Sequence, residues 1–451
     1  MHSNNPVPSE TSAPLQDSIL QYHALSKLLA EAGISQPTLV IDQAALNRNI
    51  AQLKQILNEG FVHRLVVKSL PCMQLIDHIS AQTQSETQRF MCFHAPFIQQ
   101  IASRYALSDI LLGKPLPAAA FEQLLVWFMQ QPKSKSAPKL SQVQWLIDSH
   151  ARLEQYQAIA KKHHASLRIN LEINIGLHRG GFSLNAEFED TITLLEKSNN
   201  LRFAGLMGYE AHAAKIPSIL GGLKGALDAS WHSYEAFKER VEHLSVPGTC
   251  FNSGGSTTFT EYTAKAPCNE LSVGSALLKP CDFDLPHLTQ FESAVFIATP
   301  LLKRVDRISV PGPAALSSLL RKAKQLPLCS GYIYGGNWLA EPCYPSSAKL
   351  VPIFGRSSNQ ELYAFDDNCA IQADDLMLFR PKQSESVLLQ FGDVAVLNHG
   401  QIDTWWPALT QGTRFDLGSS PSSTPSSTPS STSSSAKQSG VHDATTEGKQ
   451  Q

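Results

Sequence analysis

The chain has 451 residues, 42% apolar and 17% charged, with a formal net charge of -2. That length exceeds what one hydrophobic core usually fills, so two folded domains are expected, and the near-neutral balance excludes a global field for nucleic acid or an anionic membrane. Eight cysteines with no C-x-x-C pair fit free thiols in a cytosolic enzyme, and neither a secretory leader nor an apolar run of about 18 residues is found, so a cytoplasmic protein is expected.

Residues 1–13 are polar and are expected to be disordered. "LQDSILQYHALSKLLAEAG" (15–33) has helical spacing, and "PTLVID" (37–42) reads as a strand. Asp42 then caps a helix in which Leu46, Ile50, Leu53 and Leu57 form one apolar face. Eight short apolar runs follow: "LVVK" (65–68), "RFMCFH" (89–94), "DILLG" (109–113), "VQWLID" (143–148), "LRINLEIN" (167–174), "FAGLMGYE" (203–210), "TCFNS" (249–253) and "ELSVGS" (270–275). Helix-length connections separate them. Eight such units predict an α/β fold, a closed (β/α)8 TIM-type barrel over 43–288; a doubly wound open sheet alternates in the same way. "QQPKSKSAPKL" (130–140) reads as an exposed basic insertion.

Beyond residue 289 the texture changes to short β-type runs between Gly, Pro and Asp turns, which predicts a mostly antiparallel β domain over 289–415. The segment 14–42, helix and strand, is expected to join it. The Ser/Thr/Pro tract over 416–451 is expected to be disordered.

"FVHRLVVKSL" (61–70) ends a buried strand on Lys68. Barrels place chemistry at the C-terminal ends of their strands. A desolvated lysine there is a nucleophile able to form a Schiff base; the plain alternative is a lysine snorkelling to solvent. "FNSGGSTTF" (251–259), after the seventh strand, has the glycines and hydroxyls of a phosphate cradle. A Schiff-base lysine and an anion loop together suggest a phosphorylated aldehyde, and pyridoxal 5′-phosphate fits.

"PTLVID…ALNRNI" (37–50), "VVKS" (66–69), "LEINIGLHRGGF" (171–182), "GLMGYEAH" (205–212), "NSGGSTT" (252–258) and "ELSVGSAL" (270–277) stand in an order that resembles the alanine-racemase-type (fold type III) pyridoxal-phosphate enzymes. Within them it resembles the D-threonine aldolase / D-serine dehydratase branch. The resemblance implies a pyridoxal-phosphate barrel, an amino-acid substrate and a head-to-tail homodimer. It implies Lys68 as the Schiff-base residue and Arg179 beside the cofactor's pyridine nitrogen. Tyr209 would line the cofactor and His212 would be a catalytic candidate. Ser253, Gly254, Gly255 and Ser256 would hold the phosphate, and Gly274 and Ser275 would complete that cradle.

The branch carries a His-x-Cys or His-x-Asp pair near its C-terminus, which binds a divalent metal. No such pair follows residue 290 here; His399 with Asp403, or Cys343, are poor substitutes. No metal ligand is therefore assigned, and whether a divalent metal takes part stays open. Polar residues of the β domain (Arg356, Ser357, Asn359, Gln360, Arg380, Gln383 and Ser384) read as loop residues that close the site in the metal's place. The expected function is a lyase, aldolase or dehydratase, on β-hydroxy D-amino acids. The alternatives are a racemase or epimerase, for which the resemblance implies a second base from the partner subunit's β domain, where Tyr332, Tyr334 and Tyr344 lie without a matching context, and a non-catalytic cofactor-binding protein.

Overall fold

The eight apolar runs form eight parallel strands that close on themselves. In the computed structural model, which describes residues 13–85, 87–323 and 326–410, the barrel comprises β2 (Val62–Val66), β3 (Arg89–Cys92), β4 (Asp109–Leu112), β5 (Val143–Ile147), β6 (Leu167–Ile173), β7 (Leu201–Gly208), β8 (Cys250–Ser253) and β9 (Glu270–Val273). Closure comes from β9 pairing in parallel with β2, Val62 opposite Glu270 and Leu65 opposite Val273. Every residue of β5 is buried, because one face meets the barrel interior and the other meets helices. The surrounding helices supply apolar stripes, such as Leu75, Ile76 and Ile79 of Met73–Thr83. The barrel is the expected one, and the open-sheet alternative falls away.

Where β4 and β9 begin, the interior is charged. Arg64 is fully buried, and it donates to Glu270 Oε2 at 2.9 Å, Asp109 Oδ1 at 3.0 Å and the Phe90 carbonyl at 3.0 Å. The N-terminal end of the barrel is thus plugged by a paired ion cluster.

β1 (Thr38–Asp42) precedes the barrel but belongs to the second domain. It pairs antiparallel with β10 (Val295–Asp306), Val40 opposite Phe296, and parallel with β16 (Val394–Asn398), Val40 opposite Ala395. The sheet continues through β11 (Cys329–Tyr334), β14 (Gln360–Phe365) and, outermost, β13 (Lys349–Leu350) on one side and β17 (Gln401–Trp406) on the other. β15 (Leu376–Pro381) also pairs with β10, and β12 (Ala340–Tyr344) pairs with β15. Every pairing but β1 with β16 is antiparallel. Asp42 caps the helix Gln43–Leu57 by accepting from the Ala45 N–H at 3.0 Å.

Two expectations change. The helix of the N-terminal segment already includes Ala13, and Gln360 and Arg380 stand on strands rather than in loops. The regions expected to be disordered, through residue 12 and from 416, lie outside the described residues. Among the described residues no helix is long and apolar enough to cross a membrane.

Candidate active site

The C-terminal ends of the barrel strands open onto a cavity. Lys68 reaches it, though not from a strand. β2 stops at Val66, and the Leu70 N–H bonds the Val67 carbonyl, closing a single 3-10 turn that carries Lys68. The expected dry lysine is corrected here: its side chain is 38% exposed, with Nζ 3.2 Å from Glu385 Oε1 and 4.6 Å from the Phe93 ring centre.

Arg179 stands on the loop after β6, where Gly176 and Gly181 take positive φ. Its guanidinium lies 5.3 Å from the Tyr209 ring centre and 3.8 Å from Glu172. Tyr209 follows β7. Burial, and then the charge of Glu210, push its hydroxyl up to about 12 against the pull of Arg179. Burial also raises the Glu172 carboxyl.

Beneath the loop after β8 lies Glu210, fully buried and raised by desolvation. It accepts from the Ser253 hydroxyl at 3.1 Å and from the Thr258 hydroxyl at 2.5 Å. The Ser253 hydroxyl is therefore turned away from the cavity, against expectation, because the buried carboxylate holds it. Gly254, Gly255, Ser256 and Ser275 line the cavity. Ser256 Oγ accepts from the N–H groups of Gly274 at 3.4 Å and Ala276 at 3.1 Å, joining the loops after β8 and β9. Gly274 supports the wall from behind: a Cβ there would come within 2.6 Å of the Val66 carbonyl oxygen. Within the described residues the N–H groups of Ser256 and Thr257 meet no acceptor. Two free backbone donors, a hydroxyl and side-chain-free glycines fit a phosphate group, and an amine across the same cavity fits an aldehyde.

His212 is the other correction. It does not line the cavity; it packs behind the Arg179 loop, where a Cβ on Gly176 would fall 2.9 Å from its Nε2. Its Nδ1 is buried without a partner, and burial lowers its basicity. Within one chain Tyr332, Tyr334 and Tyr344 do not line the cavity; the second base that the resemblance implies would come from another copy.

The β domain enters the barrel mouth through the end of β15 and the chain that follows it. Arg380 grips Asp284 with two hydrogen bonds of 2.8 Å, and Gln383 donates to Asp282 at 2.9 Å. Ser384 Oγ and Ser275 Oγ lie 2.9 Å apart. Ser69 donates to Glu385 Oε1 at 3.2 Å. The other polar residues expected to close the site do not reach it. Arg356 pairs with Glu361, and Ser357 accepts from the N–H groups of Asn359 and Gln360 in a turn. Among the described residues no three His, Cys, Asp or Glu side chains gather as a metal site, and His399 is exposed on the turn between β16 and β17.

Two residues of this site escape a reading of the sequence. Glu210 stood inside a quoted motif, "GYEAH", and an acid between two apolar stretches was the available signal. Glu385 lies in "KQSES", which carries no signal.

A family model for the alanine racemase N-terminal domain matches residues 41–280. Comparison with curated proteins finds no match. Among solved structures the chain is similar to D-threonine aldolase from Filomicrobium marinum: 14% identity, 83% of this chain and 95% of that one, TM-score 0.65. It is similar to D-threo-3-hydroxyaspartate dehydratase from Delftia sp. HT23, at 14% identity over 83% and 97% of the two chains, TM-score 0.64. An alanine racemase-like protein from Idiomarina loihiensis also aligns at 14% identity over 84% and 98%, TM-score 0.66.

Proposed function

The chain belongs to the alanine racemase N-terminal domain family, and on that footing we propose that it binds pyridoxal 5′-phosphate and acts as a lyase on β-hydroxy D-amino acids. When bound, that group supplies an aldehyde which a lysine amine holds covalently and a ring which draws electrons from the substrate Cα. The observation that carries the reading is the convergence of Lys68, Arg179, Tyr209 and the Gly254–Ser256 loop on one cavity. Lys68 is the amine. Ser256, Thr257 and the flanking glycines would receive the phosphate, and Arg179, stacked on Tyr209, would face the ring. Glu210 braces the loop from below by holding Ser253 and Thr258.

The names of two structural neighbours, a D-threonine aldolase and a D-threo-3-hydroxyaspartate dehydratase, support a β-hydroxy D-amino acid. A racemase, the second reading, needs a base on each side of Cα, whereas the carboxylate in this cavity stands beside Lys68. A homodimer and a cytoplasmic location are part of the same proposal.

The test is the visible spectrum of the purified protein with the cofactor added, before and after borohydride, followed by mass mapping. A visible band that bleaches and leaves a pyridoxyl group on Lys68 is expected. No band, or an adduct on another lysine, would sink the reading. D-threonine, D-serine and both alanines, with and without chelator, then separate lyase from racemase and test the metal.

A further inference from the structure

Four titratable side chains line the cavity: Lys68, Arg179, Tyr209 and Glu385. An arginine does not give up its proton in a protein. Tyr209, pushed up by burial, stays a phenol at neutral pH. Among these four, Lys68 and Glu385 are the pair in contact, 3.2 Å apart; His94 and Asp282 stand further out, where the cavity opens.

Stability does not account for that pairing. The two side chains are 38% and 37% exposed, and such ion pairs contribute roughly 0–1 kcal/mol. Glu385 is nonetheless held in place by several anchors: Arg380 to Asp284, Gln383 to Asp282, Ser384 beside Ser275, and the Ser69 hydroxyl on its own carboxylate. The β domain carries one carboxylate into the barrel mouth and fixes it against the lysine.

We infer that Glu385 is the acid–base group that exchanges a proton with the β-oxygen of the substrate, paired with Lys68 on one side of the cavity. This inference rests on the lyase reading above. In an elimination the Lys68 amine takes the Cα proton, and the Cα–H electron pair becomes the Cα–Cβ π bond. Glu385, as the acid, gives its proton to the β-oxygen while the Cβ–O pair leaves with that oxygen as water. The Lys68 ammonium then returns a proton to the Glu385 carboxylate across their contact, which restores both groups. In an aldol cleavage the traffic reverses. The Glu385 carboxylate takes the hydroxyl proton, the O–H pair becomes the carbonyl π bond, the Cα–Cβ pair stays on Cα, and the Lys68 ammonium protonates that carbon.

The test compares wild type, Glu385→Gln and Glu385→Asp as cofactor-loaded proteins. Three quantities are read: the borohydride adduct on Lys68 with the cofactor Kd, exchange of the Cα proton of D-alanine in D2O, and product formed from D-threonine, D-serine and D-threo-3-hydroxyaspartate. Glu385→Gln is expected to keep the adduct and to keep exchange within roughly threefold, while β-product formation falls by about 100-fold or more. Glu385→Asp is expected to recover part of that loss. Product formation that survives Glu385→Gln overturns the inference. So does an equal loss of exchange and product, which would make Glu385 a support for Lys68 only. If the wild type carries the adduct and exchanges D-alanine but forms no product from any of the three, the lyase reading itself has failed, and the inference goes with it.

Discussion

Replacing Gly255 by alanine probes whether the loop after β8 and the Tyr209 ring form a single wall. A Cβ at residue 255 would lie 2.5 Å from Tyr209 Cε2 and 3.4 Å from Cδ2. Carbon atoms rest about 3.5–4.0 Å apart, so ring or loop must give by roughly 1 Å. The ring cannot yield freely, because it is half-buried and Arg179 lies over it at 5.3 Å. Overpacking of this kind costs about 1–3 kcal/mol. Moving the loop also moves the Ser256 and Thr257 donors, so part of the cost should appear as weaker cofactor binding, tenfold for each ~1.4 kcal/mol. The assay is an absorbance titration of the apoprotein with pyridoxal 5′-phosphate, together with Tm. Gly225→Ala is the control, since nothing lies within 4 Å of a Cβ there. Wild-type Tm and wild-type affinity in Gly255→Ala would refute the contact between loop and ring.

Arg64→Met should destabilise the barrel by about 3 kcal/mol in urea denaturation, because it leaves the buried Glu270 to Arg89 alone at 3.3 Å and the part-buried Asp109 to Arg168 at 2.7 Å; a cost below ~1 kcal/mol would show that those two arginines compensate. His63 is buried against the Val273 carbonyl and held neutral, its pKa lowered to about 4 chiefly by desolvation. The unfolded chain binds the extra proton between the ordinary value near 6.5 and about 4, so stability is fully present above the upper value and is lost as pH falls through that window. Relative to His63→Gln, wild type should lose up to roughly 3 kcal/mol on going from pH 7.5 to 4, at ~1.4 kcal/mol per unit; parallel pH profiles would refute this. Arg380→Ala releases the grip on Asp284 and should lower kcat/KM by ~10- to 100-fold with the Lys68 adduct intact, and unchanged kinetics would remove Arg380 from the clamp.

The barrel was legible because its strands are buried on both faces and so stand out as continuous Val, Leu and Ile runs. The β domain was only partly legible. β12, "AEPCY", and β17, "QIDTWW", have no fully buried residue, and strands of that kind share their composition with loops. Lys68 and the glycine loop could be read because each follows a barrel strand, and Arg179 and Tyr209 because their motifs resemble those of the family. Side-chain direction could not. Ser253 turns inward because a carboxylate lies beneath it, and His212 falls behind the Arg179 loop. Glu385 was invisible because its position depends on contacts between residues a hundred places or more apart in the chain, such as Ser275 with Ser384 and Asp282 with Gln383.

The placement of β1 bears on how the chain matures. This strand leaves the ribosome before any of the barrel, yet both its neighbours, β10 and β16, are made after the barrel is finished. Until then the apolar Leu39, Val40 and Ile41 have no partner strand, a state that invites wrong pairings. A fragment starting at the β domain would lack its central strand, and a barrel fragment starting at residue 38 would carry an orphan one. Neither half of this protein should be expressible alone in soluble form unless β1 travels with the C-terminal piece.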